Sequence, residues 1–254
     1  EWLNKNLNKV KIIDASWHLV KNRNALKEYE KEHIENAIFF DLDKNSNQNK
    51  YLPHGHFLPT INNHEKAASE MGISNTDHII FYCYSDLISS CRAWFQFIYF
   101  GHDPKLISVL DGGMKKWKLE SRKVTSSKTI IKHSKYNAIE NKNMTKVKFE
   151  IEKNIKEKNF TILDARSKNR FLGLEPEPRP EVKSGSIEGS KSLPLSELIN
   201  TKDNTFVDKK KLKGLFNSAK IHSNKIVMSC GSSVSAATLA LAYSLINDDY
   251  THQI

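Results

Sequence analysis

The sequence predicts an α/β protein of two tandem domains, each a parallel sheet flanked by helices. Three observations carry this. Short apolar, β-branched runs alternate with segments of helical character, the pattern of a sheet covered on both faces. The second half repeats the order of the first, which at this length indicates duplication rather than a solenoid. A polar, lysine-rich, irregular stretch from Ser121 to about Thr145 separates the halves. The expected boundaries are residues 1–122 for the first domain, 123–145 for a linker and 146–254 for the second.

In the first half, Val10 to Trp17 reads as a strand ending in a polar turn, and Glu32 to Phe40 as a loop feeding a second strand. His78 to Cys83 is a third strand, Cys91 to Phe100 a buried, aromatic-rich helix, and Leu106 to Gly113 a fourth strand closing on a glycine turn. In the second half, Phe160 to Arg166 echoes the Asp14 strand, Gly185 to Ser190 the His33 loop, and Ile226 to Cys230 the strand that ends at Cys83. The second half stops at Thr251 to Ile254, before any equivalent of the Leu110 strand and the helix after it, so the second domain is expected to be truncated: either the chain is a fragment or its second sheet lacks one strand and helix. Glu1 in place of Met leaves the native start open.

The chain has 254 residues, 39% of them apolar and 27% charged, enough for packed cores. The formal charge of +10 invites a nucleic-acid reading, but the lysines are scattered among asparagines rather than gathered into a patch. A small anionic substrate is the partner such a surface suits better. No run is long enough for a membrane span and no signal peptide is visible. Three cysteines, Cys83, Cys91 and Cys230, make neither a disulfide framework nor a metal spacing, so a cytoplasmic location and no metal or other cofactor are expected.

The sharpest chemistry lies at Cys230, between the apolar run Ile226 to Ser229 and the small-residue helix from Ala236. A cysteine between a parallel strand and a helix N-terminus faces backbone N–H groups and the positive end of the helix dipole. Its pKa is expected to fall there, giving a nucleophilic thiolate. By the internal repeat Cys83 is its counterpart, but Tyr84 to Ser90 is bulkier and carries Asp86, which would oppose a thiolate.

Five segments in order, Asp14-Ala15-Ser16-Trp17, His56-Phe57-Leu58-Pro59, Leu110 through Trp117, Arg170 through Arg179 and Cys230 through Ser235, resemble the two-domain rhodanese-type sulfurtransferases. The resemblance spans nearly the whole chain. It implies that Cys230 takes up a sulfur atom as a persulfide and that the first domain is inactive and supporting. The thiosulfate-using members carry basic residues directly after the cysteine. Gly231, Ser232 and Ser233 are neutral, which is similar to the branch that uses 3-mercaptopyruvate. By the same resemblance Ser232, His56 and Asp43 form a proton relay, with Asp41 as competitor to Asp43 and His54 beside His56. Arg170 and Arg179 would grip the donor's carboxylate and keto oxygen, with Gly231, Ser233, Val234 and Ser235 completing the binding loop.

Guanidinium suits that grip, being a planar fork of donors matched to a carboxylate. Pro176, Pro178 and Pro180 stiffen the mount of Arg179. The competing use of these arginines is surface pairing with Glu175, Glu177 or Glu181. Arg166 is expected to buttress the loop, His33 to anchor its own, and Asp111-Gly112-Gly113 to make a tight turn. Ser233 stands where the family has glycine, at a cost of about 1 kcal/mol if the backbone needs positive φ. Ser235 keeps a hydroxyl able to cap the helix. The implied acceptor is a thiol such as thioredoxin or a small thiol. Alternatives are thiosulfate as donor, or a non-catalytic rhodanese-like module. A cysteine phosphatase would need an arginine where Ala236 and Ala237 stand.

Overall fold

The computed structural model describes residues 1–20, 22–52, 55–179, 182–219, 225–250 and 252–254. His54, Pro180, Glu181 and Thr251, named above, lie outside them. The chain falls into two compact units, one of residues 1–141 with 202–205, the other of residues 142–201 with 206–254.

Unit 1 contains β1 (Lys11–Asp14), α1 (Ala25–Lys31), β2 (Ala37–Phe39), α2 (Ile61–Glu70), β3 (Ile79–Tyr82), α3 (Ser90–Tyr99), β4 (Ile107–Val109) and α4 (Gly113–Leu119). Its strands are parallel in the order β2-β1-β3-β4. β1 and β3 are central, and Ile12, Ile13, Ile79, Ile80 and Phe81 are all buried, as strands covered on both faces require. α3 is buried along its whole length and packs its aromatic residues with Phe40, Phe81 and Phe100. α1 and α2 start at side-chain caps: Asn24 accepts from the Lys27 N–H, and Thr60 from the Asn63 N–H.

β1 ends at Asp14, earlier than its apolar run suggests. The Asp14 carboxylate accepts from both the N–H and the hydroxyl of Ser16, at 2.9 and 2.5 Å, and this local turn breaks the ladder. Residues 123–141, which read as linker, run along unit 1. Thr125 bridges His33, Ser134 N–H donates to Ser69, and Tyr136 is buried. His33 anchors its loop through contacts to the Tyr29 and Ser127 carbonyls at 2.7 and 3.2 Å. At the glycine turn, Gly112 has φ +82° and Gly113 +50°, and a Cβ on Gly113 would lie 2.3 Å from the Cys83 carbonyl oxygen. Only glycine fits both demands there.

Unit 2 contains α5 (Lys148–Glu157), β5 (Thr161–Asp164), α6 (Lys168–Phe171), β6 (Lys191–Ser192), α7 (Leu195–Leu198), α8 (Lys209–Ser218), β7 (Ile226–Ser229) and α9 (Val234–Asn247). Its parallel sheet runs β6-β5-β7, which repeats β2-β1-β3. Among the described residues no fourth strand or following helix is formed, as expected, and the far edge of β7 takes only a single bridge. Gln253 makes a parallel bridge to Val227 and its carbonyl accepts from Met228 N–H at 2.8 Å, in the position that β4 takes beside β3. α9 is buried through Ala236, Ala237, Ala240 and Ala242, whose small side chains suit a helix packed against β7.

Candidate active site

In unit 2, Cys230 directly follows β7, and residues 231–233 lead into α9. Cys230 is half-buried, whereas Cys83 and Cys91 are buried. α9 is fourteen residues long and its N-terminus opens on this loop. Ser233 has φ +63°, so the serine does sit in the left-handed region that favours glycine. Ser233 is the residue preceding α9 and its side chain makes no capping bond. The helix begins at Val234, which places Ser235 within its first turn. The expectation of Ser235 as the cap is therefore corrected.

Both arginines expected from the sequence reach the loop. Arg179 Nη1 donates to the Gly231 carbonyl at 3.4 Å. A Cβ on Gly231 would lie 3.3 Å from Arg170 Nη2, so the guanidinium rests against the loop backbone. Arg170 sits on α6, whose first turn is fixed by Ser167 accepting from the Arg170 N–H.

The pairing weighed above as a surface alternative also occurs, but it is buried. Glu177 has a side chain only 2% exposed and accepts from Arg170 Nε at 3.1 Å and Nη2 at 2.5 Å. Its Oε1 also accepts from Arg166 Nη1 at 2.7 Å. Arg166 in turn grips Asp164 through Nε and Nη2 and donates to the Gly185 carbonyl at 2.7 Å. The result is a chain of alternating charge, Asp164, Arg166, Glu177, Arg170, that ends at the cysteine loop. Burial alone would raise the Glu177 carboxyl, but hydrogen bonds from Arg170 and Arg166 outweigh it and hold it below the ordinary carboxylate range. Arg166 buttresses the site, as expected. Glu177 was legible only as a possible partner; its flanking prolines, Pro176 and Pro178, were the signal that it is held in place.

In unit 1, His56 Nε2 lies 2.8 Å from Asp43 Oδ1. Asp41 instead accepts from the Lys44 N–H and pairs with Lys44, so the geometry selects Asp43 from the two candidates. Neither lies on a strand, since β2 ends at Phe39. His56 is buried with φ +71°, and its carbonyl accepts from Arg92 Nη2 at 3.1 Å. Trp17 was quoted in a motif but given no role. Its Nε1 donates to Asp43 at 3.1 Å and its ring meets His56 edge-on at 4.7 Å. The Asp43 carboxylate is thus held by an indole and an imidazole together.

Cys83, the counterpart of Cys230, is buried, and Ser90 Oγ donates to its sulfur at 3.3 Å. Burial pushes its thiol above the ordinary range, which disfavours a thiolate. Among the described residues, no group of three or more His, Cys, Asp or Glu is placed to hold a metal ion. No helix among them is long and apolar enough to cross a membrane.

Comparison with known proteins gives the family and the fold. The rhodanese-like domain matches residues 1–120 and again residues 149–252. The thiosulfate/3-mercaptopyruvate sulfurtransferase 1 of Arabidopsis thaliana, a mitochondrial protein, is 35% identical over 266 residues, covering 95% of this chain and 69% of its own. The 3-mercaptopyruvate sulfurtransferase of Mus musculus is 34% identical over 236 residues, covering 91% of this chain and 78% of its own. The crystal structure of SseA from Escherichia coli, a 3-mercaptopyruvate sulfotransferase, superposes with a TM-score of 0.87 at 27% identity over 99% of this chain and 94% of its own. With a parallel sheet ending in a cysteine loop, a second unit of the same strand order, and a match to each half, this chain belongs to the rhodanese family as a two-domain sulfurtransferase.

Proposed function

We propose that the protein transfers the sulfur of 3-mercaptopyruvate to a thiol acceptor through a persulfide on Cys230, releasing pyruvate. The observation that carries this reading is the convergence on one loop of a half-exposed cysteine at a helix N-terminus and two arginines resting on Gly231.

The donor's carboxylate and keto oxygen bind Arg170 and Arg179, while Ser232, Ser233, Val234 and Ser235 line the loop that receives its sulfur. The Cys230 thiolate attacks the donor sulfur, forming the S–S bond as the carbon–sulfur bond breaks. The bonding pair leaves on the carbon as the enolate of pyruvate, which takes a proton at that carbon. Supplying that proton is the role proposed for His56 and Asp43 of unit 1 and for Ser232 of unit 2. A carboxylate on one imidazole nitrogen fixes the tautomer and orientation of the ring, as a proton-transfer group requires. The helix N-terminus then stabilises the persulfide anion as it would the thiolate. An acceptor thiolate attacks the outer sulfur and regenerates Cys230. Three free cysteines fit a reducing compartment such as the cytoplasm, where acceptor thiols are abundant.

Donor choice follows from charge. Gly231, Ser232 and Ser233 add no cation beside the sulfur, and Glu177 neutralises part of Arg170. A monocarboxylate with a keto group suits that site better than a dianion such as thiosulfate. The test is pyruvate release on mixing with 3-mercaptopyruvate. Cys230→Ser is expected to abolish it, and His56→Gln to slow it roughly 100-fold, the usual scale for losing an acid–base group. Equal rates for wild type and Cys230→Ser would overturn the reading, and a large preference for thiosulfate at equal concentration would overturn the donor assignment.

A further inference from the structure

Arg170 has been assigned to the donor's carboxylate, yet the structure shows that side chain already engaged by a buried acid. Two relations between Glu177 and a donor are conceivable. Glu177 could compete with the donor for the guanidinium, or it could hold the guanidinium in the pose the donor needs. The geometry decides between them.

Glu177 takes one edge of the guanidinium, Nε and one hydrogen of Nη2. The donors of Nη1 and the second hydrogen of Nη2 form a separate edge, itself able to fork onto a carboxylate. Glu177 is also held on its other side. Its Oε1 bridges two guanidinium groups, at 2.7 Å from Arg166 Nη1 and 3.1 Å from Arg170 Nε. Arg166 is 7% exposed and clamped on Asp164 and the Gly185 carbonyl, so it cannot follow Glu177 outward. Pro176 and Pro178 fix φ on both sides of Glu177. An acid with a buried side chain, two cationic partners and a stiff backbone does not swing away when a donor arrives.

Its charge also has a definite task. Arg166 and Arg170 share one carboxylate oxygen, so without that oxygen two guanidinium groups would face each other across a short gap with no counterion between them. Arg170, at 18% exposed, is the one with room to leave, and it would turn toward solvent and away from Gly231. An isosteric amide does not substitute. Its single oxygen can still accept from Arg166, but its NH2 would then point at Arg170 Nη2, donor against donor.

We propose that Glu177 is the positioning residue for Arg170: it occupies the Nε–Nη2 edge and so presents the Nη1 edge to the donor's carboxylate. The inference rests on the reading of Arg170 as the carboxylate anchor. It predicts an effect confined to the donor half of the reaction, because the acceptor step needs only the persulfide.

The experiment separates the two halves in single-turnover measurements with the full chain. Pyruvate formation is followed against 3-mercaptopyruvate concentration, and sulfur transfer from preloaded Cys230 persulfide to cyanide is followed separately. For Glu177→Gln, the half-saturating donor concentration should rise at least about tenfold, the scale of a lost hydrogen bond between charged groups. The limiting rate should change far less, and transfer to cyanide should be unaltered. Glu177→Asp keeps the charge but is one methylene too short to span both arginines, and should fall between wild type and Glu177→Gln. A purely structural role would slow both halves together, and competition would lower the half-saturating concentration; either result, or no change, overturns the proposal.

A measurement on the wild type stands independent of the variants' folding. The Arg170 Nε–H, assigned by its loss in Arg170→Lys, should resist solvent exchange in the free protein and keep its shift when pyruvate is titrated in. Loss of that protected signal on adding pyruvate would mean that the ligand displaces Glu177, which also refutes it. Wild type that releases no pyruvate at all would instead bring down the donor reading beneath the inference, so the two failures are told apart.

Discussion

The two cysteine loops begin from the same place and end in opposite chemistry. Cys83 and Cys230 each directly follow the third strand of a parallel sheet, and each precedes a buried helix. In unit 1 residues 84–89 intervene and the cysteine is buried. Ser90 donates to its sulfur, and Gly113 at the start of α4 lies against its carbonyl. Tyr84 carries the guanidinium of Arg23 5.0 Å and the ammonium of Lys118 5.5 Å from its ring centroid. A cavity of about 550 Å³ remains beside this loop, lined by Tyr84, Asp86 and charged side chains, and Cys83 is not in its wall. In unit 2 residues 231–233 leave the cysteine half-exposed and bring in two arginines instead. Loop length and side-chain bulk, not sheet topology, separate the buried cysteine from the half-buried one.

The largest effect that could break this comparison is covalent. After exposure to 3-mercaptopyruvate and removal of excess donor, intact-mass analysis should show a gain of about 32 Da, one persulfide sulfur atom. Cys83→Ser should retain that gain and Cys230→Ser should lose it. A gain that persists in Cys230→Ser would mean that burial does not silence Cys83.

The asymmetry extends to how each unit handles buried charge, and this gives a test of intermediate size. Unit 1 buries His64 among Phe97, Phe100 and Tyr136, with Nε2 lacking a hydrogen-bond partner among the described residues. Burial, with the His102 and Arg92 charges, pushes its pKa from 6.5 down to about 3. A depressed histidine favours folding at high pH, and this contribution is lost as pH falls from 6.5 toward 3, by roughly 4–5 kcal/mol at full titration. Asp14 runs the other way. Burial lifts its pKa from 3.8 to about 6 against the hydrogen bonds from Ser16, so its contribution is greatest below 3.8 and is lost as pH rises through 6. That amounts to roughly 3 kcal/mol.

Between pH 6 and 4 the two contributions oppose one another in wild type. His64→Phe should therefore lose less stability than wild type as pH falls through that window. Asp14→Asn should make it lose stability faster than wild type does, a trend His102 reinforces because its pKa is also depressed by burial. All four tryptophans, Trp2, Trp17, Trp94 and Trp117, lie in unit 1, so tryptophan fluorescence during denaturant titration follows that unit. Parallel slopes for the two variants would show that these groups do not titrate as their burial requires.

Much of this was legible in the sequence because it depends on local pattern. Buried parallel strands announce themselves as β-branched runs, so β1, β3, β5 and β7 could be read directly, as could the small-residue helix after Cys230. The Arg170 to Arg179 segment was legible through its prolines and its family pattern. Side-chain pairing over several residues was less so. The shared Glu177 oxygen between Arg166 and Arg170, and the indole of Trp17 on Asp43, depend on rotamers and burial that no spacing encodes. The exposed helices α2, α5 and α8 were not read, because lysine and asparagine blur their amphipathic periods. The edge bridge at Gln253 is a single pairing, too short to leave a hydrophobic signature.

The smallest test concerns backbone strain, which both loops carry but relieve differently. Ser233 has φ +63° and Ile88 has φ +49°. A side chain in this region costs about 1 kcal/mol, more when it is β-branched. Ser233 is part-exposed and its side chain caps nothing, so Ser233→Gly removes strain with little loss of packing. It should stabilise unit 2 by about 1 kcal/mol, read as slower hydrogen exchange of the α9 amides. Ile88 is buried, so Ile88→Gly relieves the same strain but leaves a cavity. Lost packing of a large aliphatic side chain costs roughly 2–5 kcal/mol, so unit 1 should be destabilised on balance. Opposite signs at two left-handed residues would show that the unit 1 loop trades strain for packing, while the unit 2 loop accepts strain without that return. Stabilisation by both substitutions would mean that Ile88 packing does not offset its strain, and the contrast between the loops would then rest on length alone.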